Sequence, residues 1–331
     1  MAKNLSRMKK VLFIGLDYYN YPKVIKVELE KLGFQVDYYQ IEPRTLFYKS
    51  TRYIFRWLYR KFLNQYHSDI IAKTSHDKYD VVFFLTSHFF SSANLKKLRE
   101  THSTAKFVAY HWDSLEQYDY LNTVQFFDRV LSFDRQDCIE NGFEYLPLFA
   151  SGIYKELQSK KQDIDVYTVS SIVRPQRYLL IDQCRKYFSE NNVSFYFHLK
   201  VTPVTYFRIL QKGVIPKGVS FKTIDQITMK DIVERSRAVL DVTNHPQSGM
   251  TMRLIENVCI GKKIITTNQN VMHEKFFNED QIFLLNNHNI EKVKNFLKQN
   301  CKTKEYPELR IENWLKVILK DKTIGTIHPL E

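Results

Sequence analysis

Ala238-Val239-Leu240-Asp241-Val242 is an apolar run, and Thr243-Asn244-His245-Pro246-Gln247 after it is a polar turn. Ser248-Gly249-Met250-Thr251-Met252-Arg253-Leu254-Ile255-Glu256-Asn257-Val258-Cys259-Ile260-Gly261 follows, with apolar side chains at Met250, Leu254, Ile255 and Val258. That is helical spacing, Gly261 is the stop signal, and Lys263-Ile264-Ile265-Thr266-Thr267 begins a second strand. A helix beginning at Ser248-Gly249 turns its unpaired first-turn N–H groups, and the positive end of its dipole, towards an anion. Glu256, two turns in, stands ready to accept hydrogen bonds from hydroxyls carried by that anion.

The same alternation runs outward in both directions. In the first half, strands are expected at 11–16, 34–41, 80–85, 105–110, 129–133 and 145–148. Helices are expected over 21–32, 45–73, 92–100, 114–122 and 135–141. The polar stretch 149–162 ends this series and reads as a linker. A second series has strands at 165–170, 194–199, 219–222, 238–242, 263–267 and 281–284. Its helices are expected at 176–191, 204–211, 228–235, 250–260, 272–277 and 290–300, with a last one at about 308–320. Alternating strands and helices predict an α/β protein with parallel sheets. The domains are two doubly wound, Rossmann-like units, 1–150 and 151–306, and a closing segment 307–331.

Composition narrows the class. The chain has 331 residues, 44% hydrophobic and 26% charged, enough for two cores of a globular protein. Cys138, Cys184, Cys259 and Cys301 are scattered, with neither metal-ligand nor disulfide spacing, so reduced thiols in the cytoplasm are expected. The basic N-terminus is followed by too short an apolar run for a signal peptide, and no run approaches the ~20 residues of a membrane span. A formal charge of +13 calls for an anionic partner.

The stretch from His245 to Glu256 resembles the nucleotide-sugar site of GT-B glycosyltransferases, particularly a subgroup found in bacterial polysaccharide and lipopolysaccharide gene clusters. Many GT-B members carry Glu-Gly-Phe-Gly, then a helix whose second Glu lies eight residues after the first, then Gly and a strand. Gly249, Glu256 and Gly261 fall on matching positions, while Ser248 replaces the first Glu and Thr251 the second Gly. The resemblance implies two Rossmann-like domains facing a cleft, with the last helix crossing back to the first domain. It also implies a nucleotide-diphosphate sugar as donor substrate, no cofactor, no metal, and a glycan or lipid-linked acceptor in surface polysaccharide biosynthesis. The donor-binding candidates are Arg174, His245, Ser248, Gly249, Met250, Thr251, Arg253 and Glu256. Arg174 and Arg177 lie in the turn after a strand, where guanidinium groups can bind a diphosphate through paired hydrogen bonds. Relatives with both glutamates commonly retain anomeric configuration; Ser248 removes one carboxylate from beside the sugar.

In the first domain, Gly15-Leu16-Asp17 lacks the Gly-x-Gly-x-x-Gly dinucleotide fingerprint. An acceptor hydroxyl must lose a proton, and Asp17, His88, His111 and Asp113 end strands where a base would sit. His111 and Asp113 are favoured, although Asp113 also suits a helix N-cap beside Ser114. Asp163-Ile164-Asp165 has the form of a metal-binding Asp-x-Asp, but it precedes its strand and reads as solvated linker. Between 44 and 66, Lys49, Arg52, Arg56 and Arg60 are interleaved with Tyr48, Phe55, Trp57, Tyr59 and Phe62. That pattern suits either an anionic membrane surface, with the protein peripheral at its inner face, or a buried aromatic face with solvated arginines. Two rivals stand beside glycosyl transfer: a GT-B-type nucleotide-sugar epimerase, and a non-catalytic basic polyanion-binding protein. Nucleic-acid recognition motifs are not apparent, so no nucleic-acid partner is expected.

Overall fold

The computed structural model describes residues 8–16, 20–43, 45, 48, 55–151, 157–158, 160–243, 247–286, 288–302 and 304–320. The chain divides into two compact units, Met1–Pro147 with Ile311–Glu331, and Leu148–Arg310.

In the first unit the order is β1 (Lys10–Gly15), α1 (Tyr21–Lys31), β2 (Gln35–Gln40), α2 (Arg56–Thr74), β3 (Val81–Leu85), α3 (Ser92–Thr101), β4 (Lys106–His111), β5 (Arg129–Ser132), α4 (Arg135–Asn141) and β6 (Glu144–Tyr145). The sheet order is β2-β1-β3-β4-β5-β6, and every neighbouring pair is parallel. Central strands of such a sheet are covered on both faces, which is why Val81-Val-Phe-Phe-Leu85 carries no polar residue. Leu12, Ile14, Val82, Phe84 and Phe107 share one cluster with Ile70, Ile71, Leu95 and Leu98 of α2 and α3.

The second unit runs β7 (Ile164–Ser171), α5 (Pro175–Glu190), β8 (Phe195–Lys200), α6 (Pro203–Leu210), β9 (Val219–Ser220), α7 (Gln226–Arg235), β10 (Ser236–Asp241), α8 (Met252–Cys259), β11 (Lys263–Thr266), β12 (Ile282–Leu284) and α9 (Val293–Lys298). Its sheet order is β12-β11-β10-β7-β8-β9, again all parallel. The core joins Val166, Leu240 and Ile265 to Tyr178, Ile181, Phe188, Ile209 and Phe296.

The last helix, α10 (Ile311–Leu319), belongs to the first unit. Its Trp314 sets an edge against Tyr110 (4.8 Å between centroids) and Phe83 (6.3 Å). Arg129 grips the helix end, donating from one guanidinium nitrogen to the carbonyls of Val317 (3.0 Å), Ile318 (2.8 Å) and Lys320 (3.0 Å). Those carbonyls lie at a helix C-terminus, where a cation is favoured.

Four local expectations fail. No α-helix forms over 114–122: the Asp137 carboxylate takes the Leu115 N–H (2.8 Å) and the Tyr120 hydroxyl (3.1 Å), leaving turns and a 3₁₀ stretch at Leu121–Phe126. The helix expected over 272–277 is a 3₁₀ turn, Gln269–His273, capped by Asn268. The start of the supposed linker is built into the second unit, because Phe149 is fully buried and the Ala150 N–H donates to Leu309 (2.7 Å). The single helix expected over 45–73 is interrupted: Tyr48 is helical, Phe55 is not, and the helix α2 starts afresh at Arg56; Lys49 and Arg52 lie outside the described residues.

Candidate functional site

In an open parallel sheet, adjacent strands whose crossovers leave in opposite directions open a crevice at their carboxyl ends, and ligands bind there. In the second unit the connection from β7 runs to β8 while β10 lies on the other side, so the switch point lies between β7 and β10. β7 ends in Ser170-Ser171 and β10 in Asp241.

Asp241 organises this edge. It is fully buried, and its Oδ1 accepts from the Thr251 hydroxyl (3.0 Å) and from an Arg253 guanidinium nitrogen (3.3 Å). Its Oδ2 is buried and makes no hydrogen bond. Thr251 is also the N-cap of α8, accepting from the Leu254 N–H (3.1 Å), so the helix begins at Met252 and not at Ser248. The chain needs no cap earlier because Ser248-Gly249 is held as a bend by Asn268, whose amide donates to the Gly249 carbonyl (2.9 Å). On the β7 side Arg177 is buried and donates to the Ser171 carbonyl (2.9 Å) and the Ser170 hydroxyl (3.3 Å). Burial, and then the Arg253 charge nearby, pull its guanidinium down to about 10, against the opposite pull of Asp241. Two cations and one carboxylate therefore gather at the switch point.

Glu256 is buried, and its Oε1 accepts from the Ser151 hydroxyl (3.0 Å). Beside it Asn257 exchanges hydrogen bonds with the buried Tyr167 hydroxyl (2.7 and 3.0 Å). Arg174 is exposed at the N-cap of α5, whereas Arg177, one turn on, is turned inward. Met250 is buried under the loop as packing. His245 lies outside the described residues.

The first unit's switch point lies between β1 and β3. Asp17, just after β1, lies outside the described residues. After β3, Thr86 adopts φ +69°, a left-handed conformation that a β-branched residue takes only at a cost of about 1–2 kcal/mol. Its hydroxyl lies 2.8 Å from His88 Nδ1, and the His88 ring stacks on Tyr118 at 4.2 Å.

His111 ends β4, fully buried and stacked on Tyr120 at 3.6 Å. Its tautomer follows from a proton count. Thr123 donates to the Tyr120 carbonyl (2.6 Å), so it accepts from Ser87 (2.6 Å), and Ser87, 3.4 Å away, accepts from His111 Nε2–H. Nδ1 keeps its lone pair and has no hydrogen-bond partner. Burial, with His88 adding to it, holds this imidazole well below its ordinary value and therefore neutral. Asp113 is partly exposed, and burial lifts its carboxyl to about 6. It caps no helix, since none forms after it. Asp113, rather than His111, is thus the accessible group with a base's protonation behaviour.

Elsewhere, Asp163 is paired with Arg235 (2.6 Å) before β7, at the sheet edge away from the switch point. In α2, Tyr59, Leu63 and His67 are buried while Arg56, Trp57 and Arg60 are exposed. No helix among the described residues is long and apolar enough to cross a membrane. Asp241, Tyr167, Asn257 and Ser151 were not singled out in the sequence. A carboxylate closing an apolar strand was the available signal for Asp241; nothing local marks Ser151.

No protein-family model and no curated protein matches the sequence. Solved structures do match in shape. A lipopolysaccharide outer core galactosyltransferase, WaaB, aligns over 93% of this chain and 95% of its own, with TM-score 0.53 and 12% identity. An α-glucosyltransferase solved with UDP and a 13-mer DNA aligns over 87% and 89%, with TM-score 0.58 and 11% identity. AviGT4, a glycosyltransferase involved in avilamycin A biosynthesis, aligns over 94% and 93%, with TM-score 0.57 and 11% identity. Two all-parallel Rossmann-like units with these neighbours identify the chain as a protein of the GT-B fold.

Proposed function

We propose that the protein is a glycosyltransferase that takes a sugar from a nucleotide-diphosphate donor and passes it to a glycan or lipid-linked acceptor. The observation that carries this reading is the gathering of Arg177 and Arg253 about Asp241 at the β7/β10 switch point. A leaving diphosphate gains negative charge as the glycosidic bond breaks. Arg253, the α8 N-terminus and the exposed Arg174 would stabilise that charge without a metal ion, and stabilisation placed where charge develops lowers the barrier. Glu256, positioned by Ser151, would accept from donor hydroxyls. Asp113, ionised above pH 6, would remove the acceptor proton. The buried His111 and the strained Thr86 would shape that edge without touching the reacting atoms.

A thermal-shift screen across nucleotide sugars tests the donor half, with UDP-sugars first because one structural neighbour was solved with UDP. At a hundredfold excess over Kd a ligand adds about 2.7 kcal/mol of stability, a clear rise in Tm. Arg253→Ala should abolish that rise. If no nucleotide sugar or nucleoside diphosphate stabilises the protein, the donor reading fails. Turnover of the stabilising donor without any acceptor would favour the epimerase.

A further inference from the structure

Between Lys200 and Ile224 the chain has five cations, Lys200, Arg208, Lys212, Lys217 and Lys222, and no aspartate or glutamate. This segment forms the outer edge of the second unit's sheet, through α6 and β9. It also holds a concentration of large apolar side chains in solvent. Phe207 is 60% exposed, Ile215 70% and Phe221 57%, with Val204 and Leu210 exposed beside them in sequence.

These exposures are fixed by packing. Thr205 and Ile209 are buried and set the inner face of α6, which puts Val204, Phe207 and Arg208 on the outer face. Val214 packs on the core and leaves the next residue, Ile215, outside. The Tyr206 and Phe221 rings are 5.9 Å apart, so α6 and the end of β9 form one surface. The Val201 N–H donates to Ser220 (2.8 Å), which holds that strand end in place.

We propose that this edge of the second unit docks on an anionic lipid surface. Phe207, Ile215 and Phe221 would enter the interface while the lysines face lipid headgroups. Five cations interspersed with exposed aromatic and aliphatic residues, and no acid between Lys200 and Asp225, match a surface that is anionic above and hydrocarbon below. The inference does not depend on the proposed chemistry, since none of these residues lies at the β7/β10 switch point.

Co-sedimentation of the full chain with phosphatidylglycerol/phosphatidylcholine vesicles at low salt tests it, with pure phosphatidylcholine vesicles as reference. Wild type should bind the anionic vesicles and not the reference. Lys212→Gln/Lys217→Gln/Lys222→Gln should weaken binding by about a hundredfold, at roughly a fivefold loss per charge. Phe207→Ser/Phe221→Ser keeps every charge and should still weaken binding, and Phe207→Trp should add blue-shifted emission on vesicles. All sites are exposed, so an unchanged Tm shows each variant folded. Failure of wild type to bind, or unchanged binding by both variants, overturns the proposal. So does loss of binding only in Arg56→Gln/Arg60→Gln, which would move the contact to α2. Binding to duplex DNA but not vesicles, lost in the lysine variant, would make the surface a nucleic-acid site and equally overturn it.

Discussion

At the scale of the residue, Asp113 is the sharpest test of the proposed acceptor edge. Its carboxyl is lifted from 3.8 to about 6 by burial, so the ionised form dominates only above pH 6. If it takes the acceptor proton, kcat/KM falls below pH 6, and Asp113→Asn removes that limb with a loss of about a hundredfold or more. Stability moves the other way. A folded value above the unfolded one means the contribution is present below pH 3.8 and lost as pH rises through 6. Asp113→Asn should therefore be more stable than wild type at pH 7.5, by about 2 kcal/mol after allowing for partial exposure. The difference should vanish below pH 3.8. Denaturant melts at both pH values check this, and a variant that keeps both activity and the acid limb removes Asp113 from the reaction.

At the scale of the element, α10 is held by packing and by one side chain. Arg129 is buried, chelates Glu144 through two nitrogens (2.8 and 2.5 Å) and donates to three carbonyls at the end of α10. Arg129→Leu removes the guanidinium from those carbonyls and from the Glu144 carboxylate. A loss of about 3 kcal/mol is expected, from charge-assisted bonds that water replaces only in part. Hydrogen exchange should show faster opening of 311–319 before the strands open. Equal protection in variant and wild type would mean that the packing of Trp314, Leu315 and Ile318 holds the helix without Arg129. The elements themselves were largely legible in the sequence, because apolar runs of four to six residues in a parallel sheet have few other readings. The segment 114–122 was not, since its backbone partners come from Asp137, fifteen or more residues away.

At the scale of the whole molecule, the two units differ in how much of the chain each needs. Residues 148–310 contain a complete sheet and its core, including Phe188, Leu240 and Phe296. Residues 1–147 lack Trp314, Leu315 and Ile318, all buried, which come from the far end of the chain. A 148–310 fragment should melt cooperatively by circular dichroism. A 1–147 fragment should not, because removing three large buried side chains costs roughly 2–5 kcal/mol each against a domain stability of 5–15 kcal/mol. Joining 311–320 to the 1–147 fragment should restore a cooperative melt, and a sharp melt without that addition would refute the dependence.

The alternation of strands and helices, the two series and the α8 segment are all legible in the sequence alone. These are short-range properties: the period of apolar side chains and the punctuation of Gly and Pro decide them within a dozen residues. Tertiary structure alone decided which polar groups meet. Ser151 reaches Glu256 across 105 positions, and Arg177 comes near the Arg253–Asp241 pair because β7 and β10 are neighbours in the sheet. The inward turn of Arg177 sets its guanidinium on the end of β7, and Thr86 donates its N–H to Tyr110 of the neighbouring strand (2.9 Å). A polar side chain has no period that marks its partner; strand order and register choose it, and burial then sets its charge.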